Sequence, residues 1–170
     1  MCLPTAYGRW EDDLILHGAA KGRFLEAMAG GAELCISVTL LDGLVLARST
    51  FHSSMNYRSV VIFGRGEKIV DPAHKVKALD LLVDHLAPGR ALEVRPTTEH
   101  ELEATAVIRV PVVEASAKIR TGSPGDAKAD LDLPIWAGVV PIVPEIGQPV
   151  AAPGSEELEV PPSVRSFRWS

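Results

Sequence analysis

The chain of 170 residues has little cysteine. Cys2 and Cys35 are too few for a disulfide framework or a cysteine-based metal cluster, and a reduced, cytoplasmic setting is the simplest expectation. Positive charge is also in deficit. Lys plus Arg total 17 against 22 Asp plus Glu, a formal net charge of −5, which argues against a nucleic-acid backbone as partner. A small basic pocket for one phosphate stays open. Long hydrophobic runs are missing. The charge-free stretch over 133–144 holds three prolines and falls short of a bilayer span, which needs ~20 apolar residues. Trp10, Glu11, Asp12 and Asp13 break any apolar run near the start, so the charged-then-apolar order of a secretory leader is not seen. No membrane association is expected.

Several motifs are lacking too. There is neither a dinucleotide glycine fingerprint nor a phosphate-loop lysine motif. The five histidines, His17, His52, His74, His85 and His100, do not pair at metal-binding spacing, so no zinc site is expected. Ser53 and Ser54 sit in no nucleophile elbow. Cys35 reads as inert core, and Asp12 and Asp13 read as turn residues.

Apolar residues make up 46% of the chain, enough for one sizeable core. Strands are expected over 14–16, 34–41, 44–50, 57–64, 106–113, 116–119 and 135–143, with Asp42-Gly43 as a hairpin turn. A helix is expected over 19–29, stopped by Gly30-Gly31. A second runs from Asp71-Pro72 to about Leu86, ended by Pro88-Gly89. Thr98 with Glu101 fits a capping box for a short third helix. Residues 121–132 read as a loop. Prolines 144, 149, 153, 161 and 162 mark 145–170 as an extended or disordered tail behind a domain over 1–144. Most connections are of hairpin length, which favours a mainly antiparallel α+β barrel over a doubly wound sheet.

Three places could carry chemistry. In LILHGAAKGRF, residues 14–24, a strand runs through His17-Gly18-Ala19-Ala20 into a helix with Lys21 and Arg23 in its first turn. Cations there oppose the helix dipole. Either both are simply solvated or they form an anion site, most plausibly for a phosphate. In FHSSMNYRSVVIFG, residues 51–64, dense polar residues precede an apolar strand; it is a loop feeding the strand or a ligand-contacting segment. Trp136 in PIWAGVVP is core or cofactor platform, with Ala137-Gly138 small enough for something flat to lie close.

The runs PTAYGRWEDDLILHGAAKGRF and CISVTLLDGLVLARSTFHSSMNYRSVVIFG resemble the pyridoxamine 5′-phosphate oxidase-like flavin-nucleotide-binding proteins, in the branch similar to nitroimidazole-resistance proteins. DPAHKVKAL, APGRALEVRP, EASAKIRTGSP and PIWAGVVP agree with it, and the match covers about 2–144. The resemblance implies an antiparallel split β-barrel with a few helices, forming a homodimer that binds FMN at the subunit interface. It puts His17, Gly18, Ala19 and Arg23 at the flavin phosphate. It sets Thr5, in Pro4-Thr5-Ala6, beside the isoalloxazine ring. Asn56, Arg58 and Ser59 fall on a second flavin-contacting strand, and Trp136 covers the ring. The match opens almost at Met1, so the family's leading helix and strand pair are expected to be absent. Phe24 stands where many relatives carry Lys, with Lys21 as a substitute charge.

The function implied is a small FMN-dependent oxidoreductase of unknown substrate, with no catalytic residue assigned and His17 or His52 as the nearest proton donor. Two alternatives stand beside it: a non-catalytic module for flavin or haem, with His17 or His52 as axial ligand, and a structural homologue that has lost its cofactor.

Overall fold

The computed structural model describes residues 2–168; Met1, Trp169 and Ser170, at the limits of the expected domain and tail, lie outside the described residues. In chain order the elements are β1 (Gly8–Trp10), β2 (Asp13–Ala19), α1 (Arg23–Ala29), β3 (Glu33–Leu46), β4 (Ser54–Arg65), β5 (Glu67–Lys68), α2 (Pro72–Leu86), α3 (Glu99–Ala104), β6 (Thr105–Pro111), β7 (Glu114–Arg120), β8 (Gly138–Pro141) and α4 (Pro162–Arg165). The strands form two four-stranded sheets, ordered β1-β2-β6-β5 and β7-β4-β3-β8. The β1–β2, β2–β6, β5–β6 and β3–β8 ladders are all antiparallel. The chain divides into two compact units, Met1–Leu34 with Phe63–Glu114 and Ile146–Ser170, and Cys35–Ile62 with Ala115–Glu145. Among the described residues no helix is long and apolar enough to cross a membrane.

The first unit owns the main core. Leu14, Ile15 and Leu16 of β2 and Ala106, Val107 and Ile108 of β6 are buried in succession, the reading of strands covered on both faces. Ile15 and Val107 close on Ala78 and Leu82 of α2. That helix starts as expected: the Asp71 side chain accepts from the His74 N–H at 2.8 Å, and Pro72 occupies the first turn. The capping box is present as well, Thr98 bonding the Glu101 N–H and Glu101 returning to the Thr98 N–H. The short strand β1 was not expected. Its three residues carry no alternation, and it is set by the two-residue turn between Trp10 and Asp13.

Several expectations are corrected, among them Cys35, read as core, which is exposed on β3. The helix expected over 19–29 begins at Arg23, because His17, Gly18 and Ala19 stay in β2, paired with Val107, Ala106 and Thr105 of β6. Lys21 therefore precedes the helix instead of sitting in its first turn. A further correction concerns the second unit, where Asp42-Gly43 is no hairpin turn. Both residues lie inside the 14-residue strand β3. Gly43 pairs with Pro141 of β8, and a Cβ there would lie 3.0 Å from the Val140 carbonyl oxygen, so glycine serves close strand approach. The strand expected over 44–50 ends at Leu46. The chain reverses over 47–53, where the Ser53 hydroxyl takes the Ala47 N–H at 3.1 Å and donates to the Ser49 carbonyl at 3.1 Å.

The strand expected over 135–143 is shortened to β8, which ends at Pro141, a residue without an N–H donor. Residues 142–161 form neither helix nor strand. Ser163 of α4 is buried, its N–H and hydroxyl both donated to the Glu93 carboxylate.

Candidate functional site

In the first unit, His17, Gly18 and Ala19 end β2, and the His17 and Ala19 side chains are exposed. Gly18 is small because α1 leans on it: a Cβ there would lie 2.8 Å from Leu25 Cδ2. Arg23 is the first residue of α1 and is exposed. Eight other arginines are ion-paired. Among the described residues Arg23 has neither an acidic partner nor a hydrogen bond. The helix is only seven residues long, so its dipole adds little; the free guanidinium is what a phosphate would meet. Thr5 lies in an irregular, exposed segment, and its hydroxyl donates to the Ala6 carbonyl at 3.1 Å.

In the second unit, Asn56 is buried on β4. Its Nδ2 donates to the Gly122 carbonyl at 3.0 Å and its Oδ1 accepts from Arg120 Nη1 at 2.5 Å. Arg58 forks onto Asp42, with Nη2 at 2.9 Å and Nε at 3.2 Å. The hydrogen bond and charge of Asp42 hold the guanidinium above its ordinary pKa. Ser59 Oγ lies 2.8 Å from Thr39 Oγ1, a hydroxyl pair with donor and acceptor capacity to spare. Trp136 is 66% exposed. The flat group beside the small residues is its own indole: a Cβ on Gly138 would lie 2.9 Å from Trp136 Cζ2.

One pair escaped the sequence reading. The Asp126 side chain, 3% exposed, accepts from the Arg48 backbone N–H at 2.8 Å and from Arg48 Nη1 at 2.7 Å. Arg48's backbone N–H, then its side chain and charge, hold the Asp126 carboxyl below the usual carboxylate range; His52 adds to this. This ties the 121–132 loop to the β3–β4 reversal. The available signal was an aspartate in a Gly/Pro loop, and such a residue reads equally well as a turn former. Arg48 Nε is buried without a partner among the described residues.

The arrangement offers an unpaired cation in one unit and an exposed indole with a hydroxyl pair in the other. Among the described residues there is no group of three or more His, Cys, Asp and Glu side chains able to hold a metal ion.

The family profile described as pyridoxamine 5′-phosphate oxidase matches residues 1–119. A solved FAD- and haem-binding protein from Mycobacterium smegmatis is 43% identical, with a TM-score of 0.92; the match covers 96% of this chain and 80% of that one. The flavocytochrome Anf3 from Azotobacter vinelandii is 40% identical, with a TM-score of 0.91, covering 99% and 78%. A candidate 5-nitroimidazole antibiotic resistance protein from Bacteroides thetaiotaomicron is 25% identical, with a TM-score of 0.55, covering 68% and 66%. No curated protein sequence matches the chain.

Proposed function

The chain belongs to the pyridoxamine 5′-phosphate oxidase family, with its mainly antiparallel split-barrel class of fold, and from that premise we propose that it binds a flavin nucleotide and serves as a small oxidoreductase. The observation that carries this reading is its likeness, at 43% and 40% identity over nearly the whole chain, to one protein described as binding FAD and haem and another described as a flavocytochrome. The FMN expected from the sequence is one candidate; FAD is the flavin that the first of these relatives binds, and it becomes the first to test.

The residues fit a flavin. Arg23 presents a guanidinium that no protein group occupies among the described residues, and Lys21 adds a second exposed cation just before it. Both suit a phosphate, beside the small residues Gly18 and Ala19 and the exposed His17. Thr5, Ser59 and Trp136 are the groups for the ring. Asn56 and Arg58 have a second duty, since each already holds a structural partner. The flavin, when bound, supplies hydride or electron transfer. The protein's part is to hold the phosphate, orient the ring and exclude water.

A homodimer in the cytoplasm completes the proposal. Leu44 and Leu46 of β3 and Val140, paired with Leu44, on β8 share one face and are each 40% exposed or more, an apolar set that a second copy would cover. A second reading, a haem-binding module, rests on the same two relatives. Its axial ligand would be His52, half-buried in the β3–β4 reversal, or the exposed His17.

The test is an absorption spectrum of the purified protein before and after incubation with FAD or FMN and desalting, with the released cofactor identified by mass. Retained flavin bands support the first reading, and a Soret band supports haem. A colourless protein that retains neither flavin would overturn the flavin proposal. Arg23→Ala removes a charge-assisted bond worth about 1.5–3 kcal/mol, so flavin should bind about 10- to 150-fold more weakly. Unchanged affinity would remove Arg23 from the phosphate site.

A further inference from the structure

The first unit carries a groove that the flavin reading does not use. Residues 146–149 and 160–168 pass Leu86 and Ala87, at the end of α2, and border a space of about 690 Å³. That volume lies in the ~300–1,000 Å³ range of small-molecule sites. The strap is anchored, because the buried Ser163 gives both its N–H, at 3.0 Å, and its hydroxyl to the Glu93 carboxylate.

The lining has two characters. Leu86, Ile146, Val160, Val164 and Phe167 make it mostly apolar, whereas its charged members are Arg165 and Arg168, with no acidic residue in the wall among the described residues. In a chain of net charge −5 this is a local reversal of sign. Arg165 Nη2 is held at 2.8 Å by Glu159, an exposed residue outside the lining. Arg168 Nη1 donates to the Phe167 and Arg165 carbonyls at 2.7 and 3.4 Å, and its other donors carry no bond among the described residues.

An apolar wall with cations and no anion fits a ligand that is itself divided. A small inorganic anion would leave the apolar wall unused. An axially ligated haem would need a His, Cys, Met or Tyr, and none lines the groove among the described residues. We propose that this groove binds a free anionic amphiphile, an alkyl chain bearing one carboxylate, with the chain on the apolar wall and the carboxylate at Arg168 and Arg165.

Chain length and head charge make separate tests. Each methylene entering the groove should tighten binding about fourfold. The full-length protein, loaded with whatever cofactor it retains, is titrated calorimetrically with monomeric decanoate and dodecanoate, and with 1-decanol as the uncharged control. Dodecanoate, two methylenes longer, should bind roughly fifteenfold more tightly than decanoate, and decanol more weakly than decanoate. The Arg165→Glu/Arg168→Glu double variant should lose at least about tenfold for the acids. Val164→Trp should fill the groove and abolish binding. Both variants are checked for a native circular dichroism spectrum and melt. No binding of dodecanoate at millimolar concentration would overturn the proposal. So would undiminished affinity after charge reversal in a variant that melts like the parent, release of bound flavin by the acid, or binding seen only with micelles or anionic vesicles.

Discussion

Gly66 is where the packing argument can be tested most sharply. It is buried between the end of β4 and the start of β5. A methyl added there would lie 2.7 Å from Ile108 Cγ2 and 2.9 Å from the Met28 carbonyl oxygen. Ile108 is 0% exposed and Met28 1%, so neither neighbour has open space to move into. The Met28 carbonyl also accepts the Gly31 N–H at 3.0 Å, and displacing it weakens the end of α1. Overpacking of this kind costs about 1–3 kcal/mol, and a weakened hydrogen bond adds about 0.5–1.5. The stiffer unfolded chain returns about 0.4–1. Gly66→Ala should therefore destabilise by about 1–3 kcal/mol, lowering the melting temperature by roughly 2–10 °C. Gly18→Ala is the control. Its methyl would lie 2.8 Å from Leu25 Cδ2, the free end of a side chain that can rotate, so the loss should stay below about 1 kcal/mol. Leu25 sits on α1 with Arg23, so this variant should weaken flavin retention more than it weakens the fold. Thermal and urea unfolding followed by circular dichroism decide the matter. A Gly66→Ala protein at least as stable as its parent, or one less affected than Gly18→Ala, would refute the reasoning.

Three further outcomes are expected. Glu11 holds φ at 56°, a left-handed conformation that costs a non-glycine residue about 1–2 kcal/mol; Glu11→Gly, which gives back part of this in the unfolded chain, should raise stability by up to about 1 kcal/mol in urea titration. Lys75 Nζ donates to the Leu102 carbonyl and, at 2.7 Å, to the Thr105 carbonyl. Lys75→Met leaves both without that donor and should destabilise by about 1–3 kcal/mol, read by the same titration. Asp126 is held below the usual carboxylate range chiefly by the Arg48 N–H. Its contribution is complete above the unfolded value and is lost as pH falls through the folded one. Limited proteolysis within 121–132 should therefore rise in acid for the parent, and already be high at neutral pH for Asp126→Ala.

What could be read from the sequence follows from where each decision is made. The start of α2 and the capping box of α3 are settled by side chains bonding their own backbone within three residues, as Asp71 and Thr98 do, so local pattern is sufficient. Two of the misplaced boundaries are settled by distant partners. His17, Gly18 and Ala19 look like a helix entry until β6 pairs with them; Asp42-Gly43 looks like a turn until β8 crowds Gly43 and Arg58 claims Asp42.

The same physics explains why polar density is a weak guide to a site. Residues 51–64 stood out because Asn56, Arg58 and Ser59 crowd one strand, yet each has a structural partner, in Gly122 and Arg120, in Asp42 and in Thr39. A buried polar group such as Asn56 must be satisfied, and Arg58, although exposed, is claimed by Asp42, so a fold takes up such residues whether or not a ligand comes. Arg23 differs. Its charge is exposed, has no partner among the described residues, and stands just beyond a strand whose own positions are taken by ladder pairing and by Leu25. A side chain that the fold leaves without a polar partner tests the ligand reading more cleanly, since replacing it removes no hydrogen bond or ion pair among the described residues. Arg23→Ala should leave the melting temperature of the cofactor-free protein unchanged while lowering that of the flavin-loaded one. A fall in both would make Arg23 a structural residue and move the phosphate elsewhere.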